Sequence, residues 1–121
     1  MSRRTYVPAT PALLAEWHAA GAVPAEAERV VAPGEDEESE YAALMGAADA
    51  SLELLGGAGR RVVVVVEETV GPDRGDVPAP AAVAWRHVAA VHADAVERPA
   101  GADPDDDLAW YATQEVAQLL G

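Results

Sequence analysis

Arg60-Arg61-Val62-Val63-Val64-Val65-Val66-Glu67-Glu68 is the stretch on which the fold turns. Five consecutive β-branched residues between charged flanks match a short strand with apolar neighbours on both faces. A strand of that kind belongs in the middle of a sheet, so the rest of the chain must supply strands beside it and cover above and below.

Upstream, Gly56-Gly57-Ala58-Gly59 resembles a phosphate loop in composition. It joins a helix to a strand, whereas phosphate loops run from strand to helix and offer helix N–H groups, so it reads as a connector. Before it, Glu35, Asp36, Glu37 and Glu38 crowd the start of a helix, where carboxylates meet the positive dipole end. Tyr41, Leu44, Met45, Ala48, Leu52 and Leu55 then recur at helical spacing, which predicts the apolar face of that helix. Residues 30–32 predict a second short strand before Pro33-Gly34. Nearer the N-terminus, Thr10 and Pro11 open a helix with Leu13, Leu14, Trp17 and Ala20 as its stripe and Gly21 as its stop. Residues 4–8 predict a first strand, halted by Pro8.

Downstream, residues 71–80 read as a loop whose Arg74-Gly75-Asp76 matches an adhesion tripeptide by chance. Residues 83–94 predict a fourth strand interrupted at Arg86-His87, a bulge that would put Val83, Trp85 and Val88 on one side. Asp103, Pro104 and Asp106 read as the start of a final helix whose stripe is Leu108, Tyr111, Ala112, Val116, Leu119 and Leu120. The other reading starts a shorter helix at Thr113 and leaves residues 108–112 extended; a single helix is preferred. The expected architecture is α/β (mixed α+β), one domain over residues 1–121. It is a small three- or four-stranded mixed sheet with three helices in the order β-α-β-α-β-β-α. Helical crossovers between the early strands predict parallel pairing, with the last strand antiparallel.

The chain has 121 residues and 50% of them are hydrophobic, enough for one core. Alanine is the largest contributor, with 28 copies, and Lys, Ile, Asn, Phe and Cys are all absent. Lys, Ile, Asn and Phe share AT-rich codons, so a high-GC genome accounts for their loss together. The net charge of −13, from 8 basic and 21 acidic residues, follows partly from the missing lysines. It still excludes a nucleic-acid binder that works by phosphate neutralisation and opposes anionic membranes. Without Cys there is no disulfide, thiolate metal site or cysteine nucleophile. No apolar run is long enough to span a membrane. Ser2-Arg3-Arg4-Thr5-Tyr6-Val7 imitates a twin-arginine leader, with Ala25-Glu26-Ala27 as its cleavage site, but Pro8, Pro11, Glu16 and His18 interrupt the apolar region. A cytoplasmic protein is expected.

The candidate chemistry is sparse. Asp103-Pro104-Asp105-Asp106-Asp107 lacks the Gly and bidentate Glu of a calcium loop, with Leu108 and Gln114 at those positions, and no metal or cofactor is expected. His87 and His92 fall on opposite faces of a regular strand. His92 and Asp94 share a face and form the candidate catalytic pair. Glu67 and Glu68 point opposite ways at a strand end. Trp110 lies off the predicted stripe and is a candidate contact anchor, with Glu40 and Tyr41 as further candidate binding residues.

Three segments, Tyr6-Val7-Pro8-Ala9-Thr10, Glu40-Tyr41-Ala42-Ala43-Leu44 and Trp110-Tyr111-Ala112-Thr113-Gln114-Glu115, are joined by Arg61-Val62-Val63-Val64 and Val91-His92 between them. Together they resemble a family of small uncharacterised actinobacterial proteins, a domain of unknown function. This chain departs from that pattern with Ala93 and Ala95 around Asp94. The resemblance implies a soluble cytoplasmic domain and no particular chemistry. The expected role is a non-enzymatic accessory or protein-interaction module, a homodimer with a possible further protein partner and with no nucleic acid or membrane. One alternative is a small-ligand-binding protein or enzyme using His92 and Asp94; another is an acidic decoy for a basic protein surface.

Overall fold

The computed structural model describes residues 2–69 and 82–120; the expected 71–80 loop, with its Arg74-Gly75-Asp76, lies outside the described residues. Along the chain run β1 (Ser2–Ala9), α1 (Pro11–Ala20), β2 (Ala22–Val23), β3 (Val30–Val31), α2 (Glu37–Leu54), β4 (Val62–Thr69), β5 (Val83–Ala84), β6 (Val88–Ala93), β7 (Ala109–Ala112) and α3 (Val116–Leu120). One-turn 3-10 helices occupy Trp85–His87 and Thr113–Glu115. The valine run is β4, and it stands at the centre of a five-stranded sheet of order β3-β1-β4-β6-β7. β2 and β5 form a separate two-stranded sheet.

Alternation along β4 divides the valines between two cores. Val62, Val64 and Val66 pack with Leu14, Trp17, Val23, Val83, Val91 and Val116. Val63 and Val65 pack with Tyr6, Ala43, Ala47 and Ala48. Helices therefore cover both faces, α1 and α3 on the first and α2 on the second.

Every neighbouring pair in the large sheet is antiparallel, which corrects the expected parallel pairing. β3 and β4 are both antiparallel to β1, so they run the same way, with α2 as the crossover between them. The crossover logic holds for that pair. What the local pattern did not show is that β1 inserts between them, leaving no adjacent parallel strands. β1 also continues through Pro8 to Ala9. β3 opposes only Thr5 and Tyr6, so the proline meets a neighbouring strand on one side alone.

α1 begins where its cap predicts, and α2 begins at Glu37, two residues into its acidic run. The Leu13 N–H donates to Thr10 Oγ1 at 3.1 Å, and Gly21 closes α1 at φ 78°. Asp36 caps α2, accepting from the Ser39 N–H at 3.1 Å and the Ser39 hydroxyl at 2.7 Å. The buried face of α2 is nevertheless Ala43, Ala47, Ala48 and Ser51, and of the predicted stripe only Ala48 is buried. Small side chains let the helix approach the sheet closely. Leu44, Met45, Leu52 and Leu55 are half-buried on its flanks. Ser51 sits fully buried because its hydroxyl donates to the Ala9 carbonyl at 2.6 Å and accepts the Val62 N–H at 2.9 Å.

The last third differs most from expectation. The interruption at Arg86-His87 is real, but it separates β5, which pairs with β2, from β6, which pairs with β4. Val83, Trp85 and Val88 do reach one core. A register shift opposite Val65 and Val66 leaves Ala89 as the extra residue of a bulge. The single final helix from Asp103 does not form. Residues 109–112 are strand β7, and only Val116–Leu120 is α-helical, close to the alternative weighed above. The sheet is therefore larger than the three or four strands expected.

Candidate functional site

Register brings Arg61 and Asp94 together. Val62 faces Ala93 across β4 and β6, so the next residue outward on each strand meets its counterpart. Asp94 Oδ2 accepts from the Arg61 N–H and Nε, each at 2.9 Å, and Oδ1 accepts from Arg61 Nη2 at 2.9 Å. Arg61 is fully buried, and two further N–H groups donate to the Pro104 carbonyl at 3.0 Å and the Asp106 carbonyl at 2.8 Å. Arg98 adds a longer ion pair to Asp94 at 3.9 Å and another to Asp106 at 3.1 Å. It is held in place by paired backbone bonds with Gly59. Burial would raise the Asp94 carboxyl, but the Arg61 hydrogen bonds and the two guanidinium charges outweigh it and hold the group below its ordinary value.

This hub explains why the acidic run is not a helix start. Its carbonyls satisfy a buried guanidinium, and Asp103 Oδ1 accepts the Asp105 N–H at 2.9 Å in a local Asx turn. The run therefore folds as a cradle for Arg61 and delivers the chain into β7.

His92 does not pair with Asp94. Asp94 lies beyond the end of β6 and gives its carboxylate to Arg61, and among the described residues no hydrogen bond or ion pair joins it to His92. His92 instead faces Trp110 across β6 and β7. Burial pushes its imidazole below the ordinary value, so it is neutral at pH 7. The Asp94 N–H donates inward to the Arg61 carbonyl. By alternation, the N–H groups of His92 and Ala90 also point to β4, and the pairs His92/Trp110 and Ala90/Ala112 are the non-hydrogen-bonded ones. The Ala112 N–H accordingly donates to Glu115 Oε1 at 2.9 Å instead of to β6. Trp110 therefore aims its own N–H and C=O at the open edge of the sheet.

Among the described residues, Trp110 is left exposed beside that edge, while His92 and Leu108 are half-buried. α2 packs over β1, β3 and β4, leaving the β6–β7 end of its face to Leu108, His92 and Trp110. Trp110 is 61% exposed and Tyr41, on α2, is 49% exposed. The Tyr41 hydroxyl donates to Asp107 Oδ1 at 2.9 Å, and that bond raises the phenol. Candidate residues Tyr41, His92 and Trp110 thus belong to one end of one face. Glu40 does not join them. It lines an open concavity of about 470 Å³ with Arg4, Val31, Pro33, Glu35 and Glu67, where Arg4 and Glu67 lie 3.6 Å apart. Glu68 has a different role, accepting from Arg29 Nε and the Thr5 hydroxyl, each at 2.9 Å.

Sequence reading missed Arg61 altogether. The available signal was an arginine directly before a central strand and an aspartate directly after its neighbour, which becomes informative only once the register is known. Among the described residues, no group of three or more His, Asp or Glu is placed to hold a metal ion, and no helix is long and apolar enough to cross a membrane.

Residues 3–120 match the model of a family of unknown function, DUF6912, and the chain belongs to that family. No curated protein and no solved structure matches it.

Proposed function

We propose that the protein is a non-enzymatic interaction module whose contact surface is the open β7 edge and the Trp110 face beside it. The observation that carries this reading is Trp110, a large aromatic left 61% exposed on an edge strand, with its backbone N–H and C=O directed outward. Exposed aromatics in such positions supply large contact area at small entropic cost, and unpaired edges accept added strands. The His92/Asp94 acid–base reading draws no support from a carboxylate committed to Arg61.

The test is parallel capture from a lysate of the source organism with the parent protein and Trp110→Ala, at low and moderate salt. A stoichiometric partner held by the parent at moderate salt and lost by the variant is the expected result. Equal retention by both, or an empty eluate from both, removes this surface from consideration.

A homodimer is the second reading. A twofold axis through Trp110 would let that residue exchange both backbone hydrogen bonds with its copy. Sedimentation equilibrium at about 100 µM, well above the Kd of a specific dimer, should then show a dimer that Trp110→Pro abolishes. A strict monomer sinks it.

A further inference from the structure

Taking the β7 surface as the contact site, we infer that its partner is a basic, extended segment that adds as a strand to β7, with Arg or Lys side chains over Trp110. The backbone supplies the first half of the argument. Among the described residues β7 is paired on one side only, and Trp110 directs its backbone donor and acceptor to the other. Glu115 already takes the Ala112 N–H, so an added strand is anchored at Trp110.

The charge around this edge supplies the second half. The chain enters β7 through Asp103, Asp105, Asp106 and Asp107, all exposed. Arg98 neutralises Asp106, but among the described residues Asp103, Asp105 and Asp107 make no ion pair. The nearby guanidinium of Arg61 is fully buried against Asp94 and offers nothing to a ligand. An incoming strand therefore meets an electronegative rim beside an indole face. A cation gains from both, by Coulomb attraction to the carboxylates and by cation–π contact with Trp110. A second copy of this acidic chain brings the same negative rim and gains neither. His92, neutral beside Trp110, adds no opposing charge at pH 7.

The probe is a peptide of about ten residues with alternating Arg and Val, long enough to form one strand. Its control alternates Glu and Val. Binding is read by acrylamide quenching and by titration calorimetry; Trp17 is buried and Trp85 half-buried, so quenching reports mainly on Trp110. The expected result is binding of the Arg peptide alone, weakened about tenfold or more by Trp110→Ala and several-fold by Asp103→Asn with Asp105→Asn. Two further Arg peptides, N-methylated on alternate residues in opposite phase, test strand addition. One should bind and the other fail, because only one edge of the peptide meets β7.

Equal behaviour of the two methylated peptides overturns strand addition. Failure of both the Arg and the Glu peptide overturns the inference outright. Trp110-dependent binding of the Glu peptide would overturn the basic chemistry while leaving the β7 surface standing. Binding of the Arg peptide that ignores Trp110→Ala would instead remove the surface itself.

Discussion

The two faces of the central sheet are built on different principles. On one, α1, α3 and the β2–β5 ribbon bring Leu14, Trp17, Val23, Val83 and Val116 onto Val62, Val64 and Val66. Large interlocking side chains cover that face. On the other, α2 presses alanines onto Val63 and Val65 and gains its stability from close approach. A single closely seated helix covers only the three strands beneath it. The β6–β7 end of its face is then held from the side, by the Arg61–Asp94 hub, and remains open above.

That contrast predicts a graded series of effects. Val64→Asp places an unpaired charge in the large-residue core and should prevent folding, since the cost exceeds a marginal stability of about 5–15 kcal/mol; a cooperative thermal transition would refute the two-core description. Asp94→Ala strands a fully buried guanidinium and should cost about 3–5 kcal/mol in urea titration, with the loop before β7 losing hydrogen-exchange protection first. Ala47→Leu forces α2 away from the sheet and should cost about 1–3 kcal/mol. If it is neutral, the helix is not closely seated.

His92 gives a smaller and pH-dependent effect. Its folded value is depressed by burial, so as pH falls through about 6.5 the unfolded chain takes a proton that the folded chain resists. Stability should therefore decline across that window, and His92→Gln should flatten the decline. Asp94 contributes in a separate range: its depressed folded value stabilises above about pH 4 and is lost only at lower pH. Least of all, Trp110→Ala should shift stability by no more than about 0.5 kcal/mol, as expected for an exposed side chain outside the core. A larger loss, read from the urea midpoint, would make Trp110 a packing residue and weaken the interaction reading.

Local signals were legible wherever the physics is local. The Thr10 cap and the Gly21 stop follow from residues acting on their own backbone, and the break at Arg86-His87 from the order of apolar residues around it. Periodicity misled in two places. The Tyr41–Leu55 stripe is helical, but with so many alanines on α2, two apolar faces compete, and closeness to the sheet selects the smaller one. Residues 108–120 carry a helical stripe as well, yet Ala109–Ala112 pairs with β6 because Arg61 captures the carbonyls that would start a helix. Of the candidate site, Trp110 was recognisable as an aromatic off the predicted stripe, whereas the exposure of Tyr41, read as part of the apolar face of α2, and the parting of His92 from Asp94 were not.

Sequence alone established a central valine strand, a capped first helix, a second helix opening on an acidic run, and an acidic composition without lysine. Each is a property of neighbouring residues or of composition, where only short-range forces count. Tertiary structure decided the insertion of β1 between β3 and β4, the choice of alanine face on α2, and the joining of Arg61 to Asp94 from 33 residues away. Those outcomes depend on which surfaces meet, and a buried arginine finds its partner only after strand register has brought the two together.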